Sequence, residues 1–216
     1  MKNDIIYLGQ QYPLTDIQEA RSTKDRILLE STIMFAQKGY TTISIRDIAE
    51  RCNIKPASIY NHFKNKEALW NAVLEHTKKL YFIYFERLEK SIEDSSSFEE
   101  VLGCMFIELK NVVTIFNYYG ISLIQVEQFR DENAYDIFSN VFLKYSIEFI
   151  KDKFDDCIKK GWAKEFDTQV IATLFMHSVL ISTSIRINTH MERESLCDVD
   201  QWYCSLERFI LKLGSL

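Results

Sequence analysis

Chain breakers are scarce in this sequence, and their scarcity limits what it can form. Six glycines and two prolines punctuate 216 residues, where average usage would place about 26. Sandwiches, barrels and glycine-rich phosphate loops reverse direction often and need Gly, Pro or Asn-Gly at each reversal. A chain with so few forms long helices joined by short connections. The expectation is therefore an all-α protein of about nine helices. Apolar residues at 47% and aromatics at 13% supply a sizeable core and exclude global disorder.

Helix ends are legible from capping residues. Ser22 with Asp25, Ser44 with Asp47 and Ser97 with Glu100 each pair a hydroxyl for an orphan amide with an acid that suits the helix dipole. Gly39 after Lys38 closes the first helix. Pro56 opens the third, where its missing N–H is harmless. Asn65 caps a long fourth helix carrying Leu69, Val73, Leu80, Tyr84, Leu88 and Ile92. The polar run 93–97 is the clear linker. Further helices are expected at about 98–118, 121–131, 134–160, 168–191 and 199–213, with Gly120 and Gly161 as separators. Residues 1–20 lack periodicity and read as an arm or a short extra helix. The expected division is an arm at 1–20, a head at 21–66 and a body at 67–216.

A net charge of −5 argues against a nucleic-acid partner until it is mapped along the chain. Residues 21–80 hold 11 Lys+Arg against 6 Asp+Glu, whereas residues 91–216 hold 12 against 20. A basic head on an acidic body suggests two tasks. Five cysteines without a CxxC, and an N-terminus without a signal-peptide pattern, point to a reduced, cytoplasmic protein. Polar residues interrupt every apolar run, so no membrane span is expected.

The most informative segment is 44–66, SIRDIAERCNIKPASIYNHFKNK. Ile45, Ile48, Ala49, Ile54, Ile59 and Phe63 form one apolar seam across two short helices joined at Asn53-Ile54-Lys55. That is the pattern of a helix-turn-helix, whose second helix fits a major groove. Its outward face offers Lys55, Ser58, Tyr60, Asn61, His62 and Lys64, which suit phosphate oxygens and base edges.

The stretch from Ser22 to about Leu80 resembles the DNA-binding domain of the TetR (tetracycline-repressor-like) family of transcriptional regulators. Gly39-Tyr40, the run Thr42 to Ala49, Ala57 to Phe63 and Lys66 to Leu69 carry the resemblance, with Tyr60, His62, Phe63 and Lys66 the most specific. It implies that Thr42 and Arg46 meet the DNA backbone, with Ser44 beside them at the same helix start. Lys55, Pro56, Ala57 and Asn61 would then lie at base edges, and Tyr60, His62 and Lys66 on phosphates. Ala57 departs from the family, which often has Gly there; its methyl limits backbone approach but can meet a thymine methyl.

Aromatic side chains crowd residues 98–190, and the resemblance makes this region a pocket for a small molecule. Candidate lining residues are Tyr84, Phe106, Tyr118, Phe142, Tyr145, Met176 and His177. The resemblance also implies a two-fold dimer through the last two helices, where Leu174, Ser178, Ile181, Ser182 and Ile185 form one stripe and Trp202, Leu206, Phe209 and Ile210 another. No P-loop, GxGxxG, GxSxG or HExxH motif is present, and the histidines lack metal spacing. The expectation is a non-enzyme without cofactor or metal. It would be a homodimeric repressor that binds a palindromic double-stranded DNA operator and is released by an apolar or aromatic effector. The alternatives are a ligand-responsive activator, or a helical small-molecule-binding protein that has kept the head.

Overall fold

The computed structural model of the chain describes residues 5–7, 10–12, 22–111, 115–190 and 199–215. Near the start, β1 (Ile5–Tyr7) and β2 (Gln10–Tyr12) pair antiparallel, with Ile5 opposite Tyr12. The arm expected to be irregular or helical thus contains a small hairpin. Among the described residues, all other regular structure is helical. The helices are α1 (Thr23–Lys38), α2 (Ile45–Arg51), α3 (Pro56–Tyr60), α4 (Lys66–Glu93), α5 (Phe98–Asn111) and α6 (Ile115–Glu127). They continue with α7 (Glu132–Asp136), a π-helical stretch (Ile137–Tyr145), α8 (Ser146–Lys159), α9 (Thr168–His190) and α10 (Val199–Gly214). The backbone stays right-handed helical where α7, the π-helical stretch and α8 meet. Counted as one rod, they bring the described helices to nine, as expected from the scarcity of breakers.

The caps act as the sequence implies. Ser22 and Ser44 accept the N–H of Asp25 and Asp47, each at 3.2 Å, and Ser97 accepts that of Glu100 at 3.2 Å. Gly39 (φ 84°) and Gly161 (φ 74°) end α1 and α8 in backbone conformations that a side chain disfavours. At Gly161 the following N–H, of Trp162, reaches back to Cys157 O at 2.9 Å.

One separator falls elsewhere. Gly120 lies inside α6 and packs against α4: a Cβ there would stand 2.6 Å from Thr77 Oγ1. The glycine permits close helix approach and does not end a helix. Residues 112–114, between α5 and α6, lie outside the described residues.

α1 to α3 close around Ile27, Phe35, Ile48, Ile59 and Phe63, all buried. The resulting head meets the body twice. Trp70 and Val73 of α4 lie beneath it, and α1 lies along α6 in the most extensive packing between head and body. In the body, α4 packs on α5 and α6, α9 on α8 and α6, and α10 on α5 and α9. The deepest residues of α4 include Trp70, Thr77, Tyr81 and Phe85, while the expected Leu80, Tyr84 and Ile92 are half-buried. Helices press on α4 from several sides, so its buried face is wider than a single stripe.

Candidate nucleic-acid interface

The recognition element is built from two short helices and a turn of fixed geometry. Ser44 and Asp47 form a reciprocal capping box at the start of α2, with Ser44 N–H donating to Asp47 Oδ2 at 2.7 Å. These bonds hold the Asp47 carboxyl below the usual carboxylate range, the Ser44 hydroxyl contributing most, then the Ser44 amide, with Lys38 and Lys66 also nearby. At the turn Asn53 adopts φ 51°, a left-handed conformation that Asn tolerates better than most residues. The chain then bends back so that Ile54 N–H meets Ala49 O at 2.9 Å. Lys55 precedes α3, Pro56 occupies its first turn, and Ile59 anchors it from below.

The seam leaves a continuous polar surface outward. Thr42, Ser44, Arg46, Lys55, Pro56, Ala57, Asn61 and His62 are exposed, Tyr60 is 54% exposed, and Ser58 is half-buried. None of them is required by the core, so the surface is free to meet a polyanion. Asn65 caps α4 by accepting Ala68 N–H at 2.7 Å, which fixes the end of the recognition element against the body helix.

Lys66, expected at a phosphate, is half-buried and also makes contacts within the head. Its ammonium donates to Tyr40 O at 2.5 Å and lies 4.2 Å from the Tyr40 ring centroid. Burial lowers its pKa. Here Lys66 clamps the exit of α1 to the start of α4, because its three donors find a carbonyl and an aromatic face within the head. A cation that sequence reasoning missed is Lys24, whose Nζ lies 5.9 Å from the Phe63 ring, beside the end of α3. A lysine in the first turn opposes the helix dipole, and that unfavourable placement was the available signal.

The family profile described as bacterial regulatory proteins, tetR family, matches residues 27–73, which span this element. The biofilm operon icaADBC HTH-type negative transcriptional regulator IcaR of Staphylococcus aureus is 27% identical over 191 residues, covering 88% of this chain and 100% of IcaR. The head of the chain is therefore similar to bacterial regulatory proteins of the tetR family. Solved structures share the whole fold. A regulator from Saccharomonospora viridis in complex with choline superposes with TM-score 0.68 at 19% identity, covering 88% of this chain and 96% of that one. The ketosteroid regulator KstR2 of Mycobacterium tuberculosis gives 0.66 at 17%, covering 91% and 96%.

The body places the expected effector residues in two aromatic clusters. Tyr84, Phe142 and Tyr145 surround Tyr81 and Phe85, with Tyr81 and Phe142 centroids 4.4 Å apart and Phe85 and Tyr145 at 5.3 Å. Phe106 packs edge-on to Phe175 at 5.3 Å and to Tyr203 at 6.0 Å, with Met176 buried nearby in α9. Desolvation raises the pKa of the Tyr84 hydroxyl well above its ordinary value, with Tyr81, Glu108 and Tyr203 adding to the shift. His177 is exposed and belongs to neither cluster. The side chain of Tyr118 lies outside the described residues.

The last two helices split their stripes. On α9, Val170, Leu174 and Ile181 are 50%, 48% and 53% exposed, and His177 falls in the same row. On α10, Phe209 and Leu213 are exposed, with Trp202 and Leu206 half-buried. Ser178, Ser182 and Ile210 turn inward instead. Ser178 donates to Leu174 O at 2.8 Å, Ser182 bonds the Tyr203 hydroxyl, and Ile210 is fully buried. The side chain of Ile185 lies outside the described residues. Among the described residues no helix is long and apolar enough to cross a membrane, and no His, Cys, Asp or Glu group could hold a metal.

Proposed function

We propose that this chain is a homodimeric repressor whose head, residues 21–66, grips a two-fold operator and whose body, 67–216, joins the subunits and receives a small effector. The observation that carries the reading is the exposed polar surface of α2 and α3, held in shape by the capping box and the Asn53 turn. Thr42, Ser44 and Arg46 meet backbone phosphates at the start of α2. Lys55, Pro56, Ala57 and Asn61 approach base edges from α3, with Ser58 at its edge. Tyr60 and His62 reach phosphates, with Lys24 beside them. Repression is supported by the full-length likeness to IcaR, a negative regulator. The protein acts where the DNA is, in the cytoplasm.

The exposed row Val170, Leu174, His177 and Ile181 has the 4-3-4 spacing of a helix seam, and Phe209 and Leu213 face outward beside it. Two copies joined there can present two recognition helices to grooves about 34 Å apart. The effector is a small apolar or aromatic molecule entering the clusters around Tyr81 and Phe106. It acts through α4, which runs 28 residues from the head to the linker. Sedimentation and footprinting on the chain's own promoter DNA test the dimer. Leu174→Glu with Phe209→Glu is expected to give a monomer that loses two-fold protection. A variant that remains dimeric, or a monomer with wild-type protection, would overturn the arrangement.

A further inference from the structure

Outside both aromatic clusters, α4 and the α7–π rod face one another across a cleft of about 360 Å³, within the range of small-ligand sites. Asn71, Leu74, Glu75 and Lys78 line the α4 side. The opposite wall is Asn133, Asp136, Ile137, Asn140 and Val141. Leu74, Ile137 and Val141 are buried and form an apolar floor. Three exposed asparagines, Asn71 on one wall and Asn133 and Asn140 on the other, stand around that floor. Asn is a weaker helix former than Lys, Glu or Gln, the usual residues at exposed helix positions, and its short amide keeps donors and acceptors close to the cleft wall.

The cleft is only partly closed by its own side chains. Asn133 Nδ2 donates to Asn71 Oδ1 at 3.3 Å across it, and Lys78 lies 3.4 Å from Glu75. Asp136 and Asn140 make no side-chain hydrogen bond or ion pair among the described residues. Asn140 lies in the π-helical stretch, a backbone form often found at functional sites.

We propose that this cleft binds a small neutral polyol, a mono- or disaccharide. Amides that donate and accept, with carboxylates that accept, match a dense array of hydroxyls. The apolar floor matches the C–H face of a sugar ring. One cation against two carboxylates disfavours an anion. A bound sugar bridges α4 and α7 within a turn of Trp70, whose indole N–H donates to Asp131 Oδ2 at 3.0 Å. It thereby stiffens the joint on which the head sits.

Titration calorimetry of the full chain with glucose, sucrose and, as a cation control, ethanolamine tests this without DNA. Failure here is therefore separate from failure of the repressor reading. A sugar is expected to bind saturably at one per chain below about 10 mM. Asp136→Asn with Asn140→Ala, both exposed and unpaired, is expected to weaken binding at least tenfold while leaving the unfolding midpoint unchanged. Absence of saturation by either sugar, saturation by ethanolamine alone, or undiminished affinity in the variant would overturn the proposal.

Discussion

A Gly120→Ala substitution would place a methyl group 2.6 Å from Thr77 Oγ1 and 2.7 Å from its Cγ2. Ordinary van der Waals separation begins near 3.4 Å, so α6 and α4 must separate locally by about 0.8 Å. Thr77 cannot swing aside. It is 1% exposed, β-branched, and donates to Val73 O at 3.0 Å. Overpacking of this kind costs about 1–3 kcal/mol, against a helix-propensity gain of about 1 kcal/mol for alanine over glycine. The net expectation is a loss of about 0–2 kcal/mol, read from the urea midpoint. Because α1 lies along α6, with Gln37 Nε2 3.4 Å from the Tyr119 hydroxyl, operator affinity should also fall severalfold. Adding Thr77→Ala removes both closest atoms and leaves its Cβ at 3.2 Å, so the double variant should recover. A coupling energy of about 1–2 kcal/mol is expected from the cycle. The reasoning fails if Gly120→Ala alone stabilises by the full propensity gain and leaves operator affinity unchanged.

Other perturbations follow from the same structure. Ser31 Oγ is buried without a hydrogen-bond partner, so Ser31→Ala should stabilise the fold by about 1 kcal/mol and raise the calorimetric Tm by about 2–4 °C; a lower Tm contradicts this. Ser44→Ala removes the cap of α2 and should cost about 1 kcal/mol. The Asp47 carboxyl is held low in the folded state, so its contribution is present above the usual carboxylate range and is lost as pH falls through the folded value. Wild type should therefore show a steeper acid-side loss than Ser44→Ala, and equal pH profiles would count against the box. Burial pushes the Cys52 and Cys157 thiols up to about 11, so mass-mapped alkylation at pH 8 should spare both until the chain unfolds.

The head was readable because its chemistry is local. Ser44, Asp47, Asn53, Pro56 and Asn65 act within a few residues of themselves, and the seam from Ile45 to Phe63 needs only helical spacing. The body was less readable because its decisive interactions are distant in sequence. Gly120 looks like a helix end until Thr77 is placed against it, 43 residues away along the chain. Even in the head, the contact of Lys66 with the Tyr40 carbonyl and ring spans 26 residues and is invisible to local reading. The α9 stripe mixes residues that turn to opposite sides: Leu174 and Ile181 face out, while Ser178 and Ser182 face in toward backbone and Tyr203. Periodicity locates a stripe but does not choose between an intramolecular and an intermolecular neighbour. The aromatic residues share composition yet divide into two clusters, a separation that only the packing of α4, α5 and α9 reveals.

The central claim is that the α2–α3 surface is the part that meets DNA. Its most direct test is operator affinity by fluorescence anisotropy across a salt series, for wild type and for Lys55→Ala with Tyr60→Ala. Both residues are exposed and outside the core, so the variant should keep its unfolding midpoint. The account predicts at least tenfold weaker binding, with a salt slope smaller by about one for each phosphate interaction removed. Unchanged affinity and slope in a folded variant would contradict it.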